Sequence, residues 1–77
     1  MKLLVLTPMA TILDEEVDVV SLPGTKGCFT ILNGHAPLVS SLLKGVVRYE
    51  VKEETKEIEI DDGMTIVEQN TVRVFVG

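Results

Sequence analysis

Val47-Arg48-Tyr49-Glu50-Val51-Lys52-Glu53-Glu54-Thr55-Lys56-Glu57-Ile58-Glu59-Ile60-Asp61-Asp62-Gly63-Met64-Thr65-Ile66-Val67-Glu68-Gln69-Asn70-Thr71-Val72-Arg73-Val74-Phe75-Val76 reads as one strand after another. Val47, Tyr49 and Val51 alternate with Arg48 and Glu50, and Ile58 and Ile60 alternate with Glu57, Glu59 and Asp61. Val72, Val74 and Val76 alternate with Thr71, Arg73 and Phe75; Met64 and Ile66 alternate with Thr65 and with Val67, which is itself apolar. A period of two puts one set of side chains on a buried face and the other in water, the pattern of a half-buried strand. Asp62-Gly63 is expected to form a hairpin turn between two of these runs, and Gln69-Asn70 to form another.

Toward the N-terminus the same kind of signal continues. Leu38–Leu43 fits a strand or one helical turn, and its length does not decide. Asn33-Gly34 is a strong turn signal, and Phe29–Leu32 follows the turn Gly24-Thr25-Lys26-Gly27. Val17–Leu22 is a further run, expected to end at Pro23-Gly24; its apolar positions slip phase between Val19 and Val20, predicting burial on both faces or a bulge. Thr11–Leu13 is a short run before an expected acidic turn at Asp14-Glu15. Lys2–Thr7 opens the chain and stops at Pro8, which has no amide proton for a ladder. No stretch keeps a 3.6-residue apolar period for three turns, so no long helix is expected. The fold class is therefore all-β, a flattened β-sandwich or small barrel of about eight to ten short strands, with residues 1–77 as a single domain. So small an all-β domain leaves apolar surface uncovered, which implies a partner.

Composition excludes several functions. Two Phe, one Tyr and no Trp are too few for a base-stacking platform or a sugar cleft built on rings. A net charge of −5 argues against a grip on nucleic-acid phosphates. One cysteine excludes an internal disulfide and a multi-thiolate zinc site. No apolar run reaches the roughly 20 residues of a membrane helix, and the apolar stretch after Met1 is short for a secretory signal, so a cytoplasmic location is expected. The segment Glu50–Asp62 holds seven acids against Lys52 and Lys56, a balance equal to the net charge of the whole chain. Because Ile58 and Ile60 alternate with its acids, a solvated hairpin explains it without a basic partner; the charges keep an open edge from pairing with other chains.

Little here points to catalysis. His35 and Cys28 are the only residues of their kinds, with six residues between them, and nothing in the spacing orients an imidazole against the thiol. Asp61 and Asp62 are at most weak chelators, and no metal, cofactor or catalytic residue is assigned. Gly24-Thr25-Lys26-Gly27 lacks the spacing of a Walker phosphate loop. A second reading belongs to another class: biotinyl and lipoyl carrier domains are small, all-β and present one lysine at a hairpin tip, a place Lys26 would fill. Those families flank the lysine with Met-Lys-Met or Asp-Lys-Ala, whereas this chain has Thr25-Lys26-Gly27.

Leu22-Pro23-Gly24-Thr25-Lys26-Gly27-Cys28-Phe29-Thr30-Ile31-Leu32-Asn33-Gly34-His35-Ala36-Pro37-Leu38 resembles the signature of the epsilon subunit of F-type ATP synthases, called delta in mitochondria. There a Pro-Gly turn, a Gly-x-Phe/Leu-Gly-Ile strand and a Gly-His-Ala-Pro-Leu loop come in this order. Leu3–Pro8 resembles the family's opening strand, Gly45-Val46-Val47-Arg48-Tyr49 its Pro-Gly-Val-Leu-Arg-Ile segment, Gly63–Glu68 its Gly-Gly-Phe-Leu-Glu-Val segment, and Asn70-Thr71-Val72-Arg73-Val74 its closing Asn-x-Val-x-Val strand. The resemblance implies a flattened sandwich of about ten strands. In typical members a two-helix hairpin follows, which brakes rotation and in some species binds ATP; a chain ending at Gly77 is expected to do neither.

The resemblance also implies a place in the central stalk, bound to the gamma subunit and resting on the membrane c-ring, at the cytoplasmic face of a bacterial inner membrane. Carried over residue by residue, Lys26, Cys28, Gly34, His35, Ala36, Pro37 and Leu38 form the expected ring-facing surface, with the turn and the Gly-His-Ala-Pro loop at the same end of the molecule. Thr7, Pro8 and Met9 are the expected gamma-facing residues. Asn33 stands where the family usually has proline, which should loosen the start of the loop. Cys28 stands where many members have Glu, and Lys26 where many have Glu or Asp, so an acid-to-arginine pairing with the ring is not expected here. His35 is expected to donate a hydrogen bond in either protonation state.

Overall fold

A computed structural model describes residues Met1–Gly77 and contains nine strands and no helix: β1 (Lys2–Leu6), β2 (Thr11–Glu16), β3 (Val19–Gly24), β4 (Gly27–Leu32), β5 (Leu38–Leu42), β6 (Gly45–Val51), β7 (Glu54–Ile60), β8 (Gly63–Glu68) and β9 (Thr71–Phe75). They form one curled sheet in the order β2-β1-β9-β8-β5-β3-β6-β7, with β4 paired only to β3. Curling brings the apolar faces together around Leu3, Val5, Val20, Leu22, Ile31, Val47, Val67, Val72 and Val74, all essentially inaccessible to water. The alternation read from residues 47–76 supplies part of this core, with Val47, Tyr49, Ile60, Val72 and Val74 pointing inward; in β8 the phase is reversed, so that Thr65 and Val67 are buried and Met64 is exposed. Leu38–Leu42 resolves as a strand, its ladder with β8 running from Leu38↔Val67 to Leu42↔Gly63.

The connections gather at two ends. Met1 accepts from the Val17 amide, and Asn70 accepts from Lys2, at the end where Val17–Asp18, Asn33–Pro37, Lys52–Glu53 and Gln69–Asn70 lie. At the other end Leu6 accepts from Val76, Ser41 from Thr25 and Pro23 from Leu43. The sheet stays open between its edge strands β2 and β7. One ion pair spans that gap, Lys56 Nζ to Glu15 Oε1 at 3.7 Å. The β6–β7 hairpin is solvated as expected, with Arg48 NH2 paired to Glu57 Oε2 at 2.7 Å on its outer face.

Four local expectations change. Asp14 and Glu15 do not turn the chain: β2 runs on through Glu16, because β1 offers the ladder Lys2↔Glu16, Leu3↔Glu15, Leu4↔Asp14 and Lys2 neutralises Asp14 at 3.3 Å. Pro23 and Gly24 belong to β3 rather than ending it. Gly24 and Gly27 close the two-residue turn, so Pro23↔Cys28 is a pair whose amides face away from each other, and the missing N–H of Pro23 costs the β3–β4 ladder nothing. The phase slip in Val17–Leu22 is neither a bulge nor two-sided burial. Val17 and Asp18 lie outside the strand, in the β2–β3 link. Last, Asp62-Gly63 is not a hairpin turn. β7 pairs with β6, while β8 lies between β5 and β9, so the link crosses from one part of the sheet to another.

Candidate functional site

The strand β4 is an edge, and its side chains alternate: Phe29 and Ile31 turn to the core while Cys28, Thr30 and Leu32 are exposed. Lys26, at the tip of the β3–β4 turn, precedes this row, and the exposed residues Gly34–Pro37 follow it. The expected ring-facing residues therefore form a strip along β4 rather than a patch at one end. Lys26 and His35 sit at opposite ends of a six-residue strand, about 17–20 Å of extended chain. This corrects the expectation that turn and loop share an end. The same separation sets Cys28 apart from His35, which removes a thiol–imidazole pair from consideration.

The loop after β4 is built from short-range bonds. Asn33-Gly34 makes the turn, with Gly34 at φ +78°, where a side chain would be strained. The His35 amide donates to Leu32 O at 3.2 Å, and Pro37 has no amide to satisfy. His35 Nδ1 lies 2.6 Å from Ala36 O. A carbonyl only accepts, so Nδ1 carries the proton and the neutral ring offers Nε2 as an acceptor. His35 donates to a partner only when protonated, which narrows the expectation of a donor in both states. The start of the loop is not loosened by Asn33. Its side-chain oxygen accepts from Asn70 Nδ2 at 3.2 Å, and Asn70 Oδ1 accepts from the Gly34 amide at 2.9 Å. A side-chain clamp thus stands where a proline ring would have restrained the backbone. The sequence marks Asn70 as a turn residue and as the first position of the closing Asn-x-Val-x-Val segment, and neither reading signals a side-chain bond to this loop.

Thr7, Pro8 and Met9 lie on the link between β1 and β2. Thr7 ends the strand early because its hydroxyl oxygen accepts from Ala10 N at 3.0 Å and Met9 N at 3.3 Å, closing a tight turn. Met9 is 93 % exposed. Below it runs an open groove of about 910 Å³ walled by Leu6, Leu42, Met64, Phe75 and Val76. Met64 and Phe75 face each other across the β8–β9 ladder, and both remain partly open to solvent. Sequence reasoning named the loop but not these walls, which combine the buried Leu42 and the core-packed Val76 with the outward-facing Met64 and Phe75. Asp61 and Asp62 are exposed at the same end, and nowhere do three or more His, Cys, Asp or Glu side chains gather as a metal would need.

Compared with known proteins, residues 1–77 match the family described as "ATP synthase, Delta/Epsilon chain, beta-sandwich domain". Among curated relatives, the ATP synthase epsilon chain of Carboxydothermus hydrogenoformans is 42% identical over 74 residues, covering 96% of this chain and 55% of its own length. That of Magnetococcus marinus is 38% identical over 72 residues, covering 94% of this chain and 53% of its own. The chain thus spans about half the length of the curated relatives it matches. Among solved structures, a chain of the Euglena gracilis mitochondrial ATP synthase (OSCP/F1/c-ring) superposes with a TM-score of 0.88 at 22% identity, covering 96% of this chain and 48% of that one. A chain of the Tetrahymena thermophila mitochondrial ATP synthase central stalk and c-ring does so with a TM-score of 0.79 at 18% identity, covering 97% and 61%. These two likenesses concern the fold.

Proposed function

We propose a role for this chain from one premise: it belongs to the family of ATP synthase delta/epsilon chains, matched over the β-sandwich domain. In this reading it is a non-catalytic rotor subunit of the central stalk, which binds gamma and rests on the c-ring so that ion flow is coupled to ATP synthesis or hydrolysis. Residues 1–77 act as one domain, peripheral to the membrane through the complex, at the cytoplasmic face of a bacterial inner membrane. It makes and breaks no bond itself, and nucleic acid is not its ligand. The observation that carries the reading is the match over the whole chain to that family. The carrier reading gives way for the same reason, although Lys26 does stand at a hairpin tip.

Two surfaces support the two contacts. The strip Lys26, Cys28, Gly34, His35, Ala36, Pro37 and Leu38 along edge strand β4 faces the ring, with His35 Nε2 as its polar contact. Thr7, Pro8 and Met9, on the rim of the groove walled by Met64 and Phe75, face gamma, whose apolar side chains would cover that groove. Because His35 is exposed and buries little, His35→Ala should leave the fold intact while weakening retention on purified c-ring about fivefold, the worth of one net hydrogen bond. Unfolding of the variant, or undiminished ring binding, contradicts the assignment.

A further inference from the structure

We propose that Asn70 is the positioning residue of the ring-facing loop, holding Asn33–Pro37 in its docking conformation from a different connection of the fold. The proposal rests on the reading above that this loop meets the c-ring. Every hydrogen bond that ties residues 33–37 to another connection ends on the side chain of Asn70: Oδ1 accepts from Gly34 N at 2.9 Å, and Nδ2 donates to Asn33 Oδ1 at 3.2 Å. The Asn70 carbonyl meanwhile accepts from Lys2 N at 3.1 Å, which anchors the turn itself to the start of β1. Asn70 thus joins a rigid point of the sheet to the residue immediately before His35.

Turning the chain does not require this side chain. Gln69 and Asn70 both have left-handed backbones, at φ +50° and +56°, and glycine takes that conformation without strain. Nor does the clamp contribute packing, because Asn33, Gly34 and Asn70 are all exposed. What it does is remove freedom from a loop whose backbone is otherwise held only by local bonds, His35 N to Leu32 O and His35 Nδ1 to Ala36 O. A loop already ordered in its bound shape loses less entropy on docking. The amide chemistry suits this double task, one end accepting and the other donating.

The test uses the full chain with Asn70→Gly, Asn70→Asp and His35→Ala, and reads three quantities: amide exchange at Gly34, thermal midpoint, and affinity for purified c-ring in detergent. Asn70→Gly keeps the turn and deletes the clamp, so Gly34 exchange should speed up and ring affinity fall, each about fivefold, with the midpoint unchanged. Asn70→Asp keeps the acceptor for Gly34, and Asn33 can rotate its amide to donate to the carboxylate, so this variant should behave as the parent. If His35→Ala weakens ring binding but Asn70→Gly does not, or if Asn70→Asp binds as poorly as Asn70→Gly, the positioning role is overturned alone. If neither His35→Ala nor Asn70→Gly weakens binding, the proposal falls together with the reading beneath it.

Discussion

Replacing Gly63 by alanine puts a methyl group where the neighbouring backbone already stands. A Cβ at this position would lie 2.4 Å from Phe75 O and 3.3 Å from Val76 Cγ1. The first distance is about 1 Å short of an ordinary van der Waals contact. The obstacle cannot rotate away, because Phe75 is paired to Met64 in β8 and to Leu6 in β1. Overpacking of this kind costs about 1–3 kcal/mol, and a backbone obstacle places Gly63→Ala at the upper end. A domain of this size is stable by about 4–12 kcal/mol in all, so the loss is a large fraction of the total. Gly34→Ala is the internal control: nothing lies within 4 Å of its Cβ, but φ is +78°. It carries only the left-handed penalty, about 1–2 kcal/mol. Urea unfolding followed by far-UV circular dichroism, with buried Tyr49 as a second probe, gives both values. Gly63→Ala should be the more destabilising with an unchanged m-value. A Gly63→Ala protein as stable as Gly34→Ala, or more so, would refute the close approach of β8 and β9 on which this reasoning depends.

Leu22→Ala empties a position 1 % exposed at the centre of the core and should cost about 2–5 kcal/mol by the same unfolding measurement. Cys28→Ser, on the exposed row of β4, should change stability by less than about 0.5 kcal/mol. An ATP synthase assembled with Cys28→Ser should keep its turnover, and normal assembly with total loss of turnover would show the thiol to be more than a surface group.

How much of this was legible depends on whether the signal is local. The alternation through Val72-Arg73-Val74 and the turns at Asn33-Gly34 and Gln69-Asn70 announce themselves, because each rests on neighbouring residues. The Lys52-Glu53 turn does not. Its left-handed angles of 50° and 69° carry no glycine or asparagine to mark them. They are held instead by the seven-pair β6–β7 ladder and by Asp18 Oδ2, which accepts from Lys52 N at 3.0 Å. Asp62-Gly63 shows the converse. A turn dipeptide says that the chain bends, not which strands it joins, and here β8 is claimed by β5 and β9. The parallel pairing of β1 with β9 is equally invisible, joining the two ends of the chain.

The candidate site divides the same way. The Gly34-His35-Ala36-Pro37 loop could be named from its residues, as could the exposed lysine of the β3–β4 turn. Their separation along β4 follows only once that strand is counted out between them. The clamp from Asn70 crosses 36 positions of sequence to reach Gly34, and no local pattern predicts a bond of that span. The acids Asp14 and Glu15 continue the strand because β1 offers them a ladder and each meets a cation, Asp14 with Lys2 at 3.3 Å and Glu15 with Lys56 at 3.7 Å.

The most direct test of the stalk reading is to co-express this chain with the gamma subunit from the same source and measure the mass of the purified product by size-exclusion chromatography with light scattering. The account predicts a stable one-to-one complex, formed by the β-sandwich alone and weakened when Met9 on the groove rim is replaced by a charged residue. Clean separation of the two proteins at micromolar concentration would contradict it.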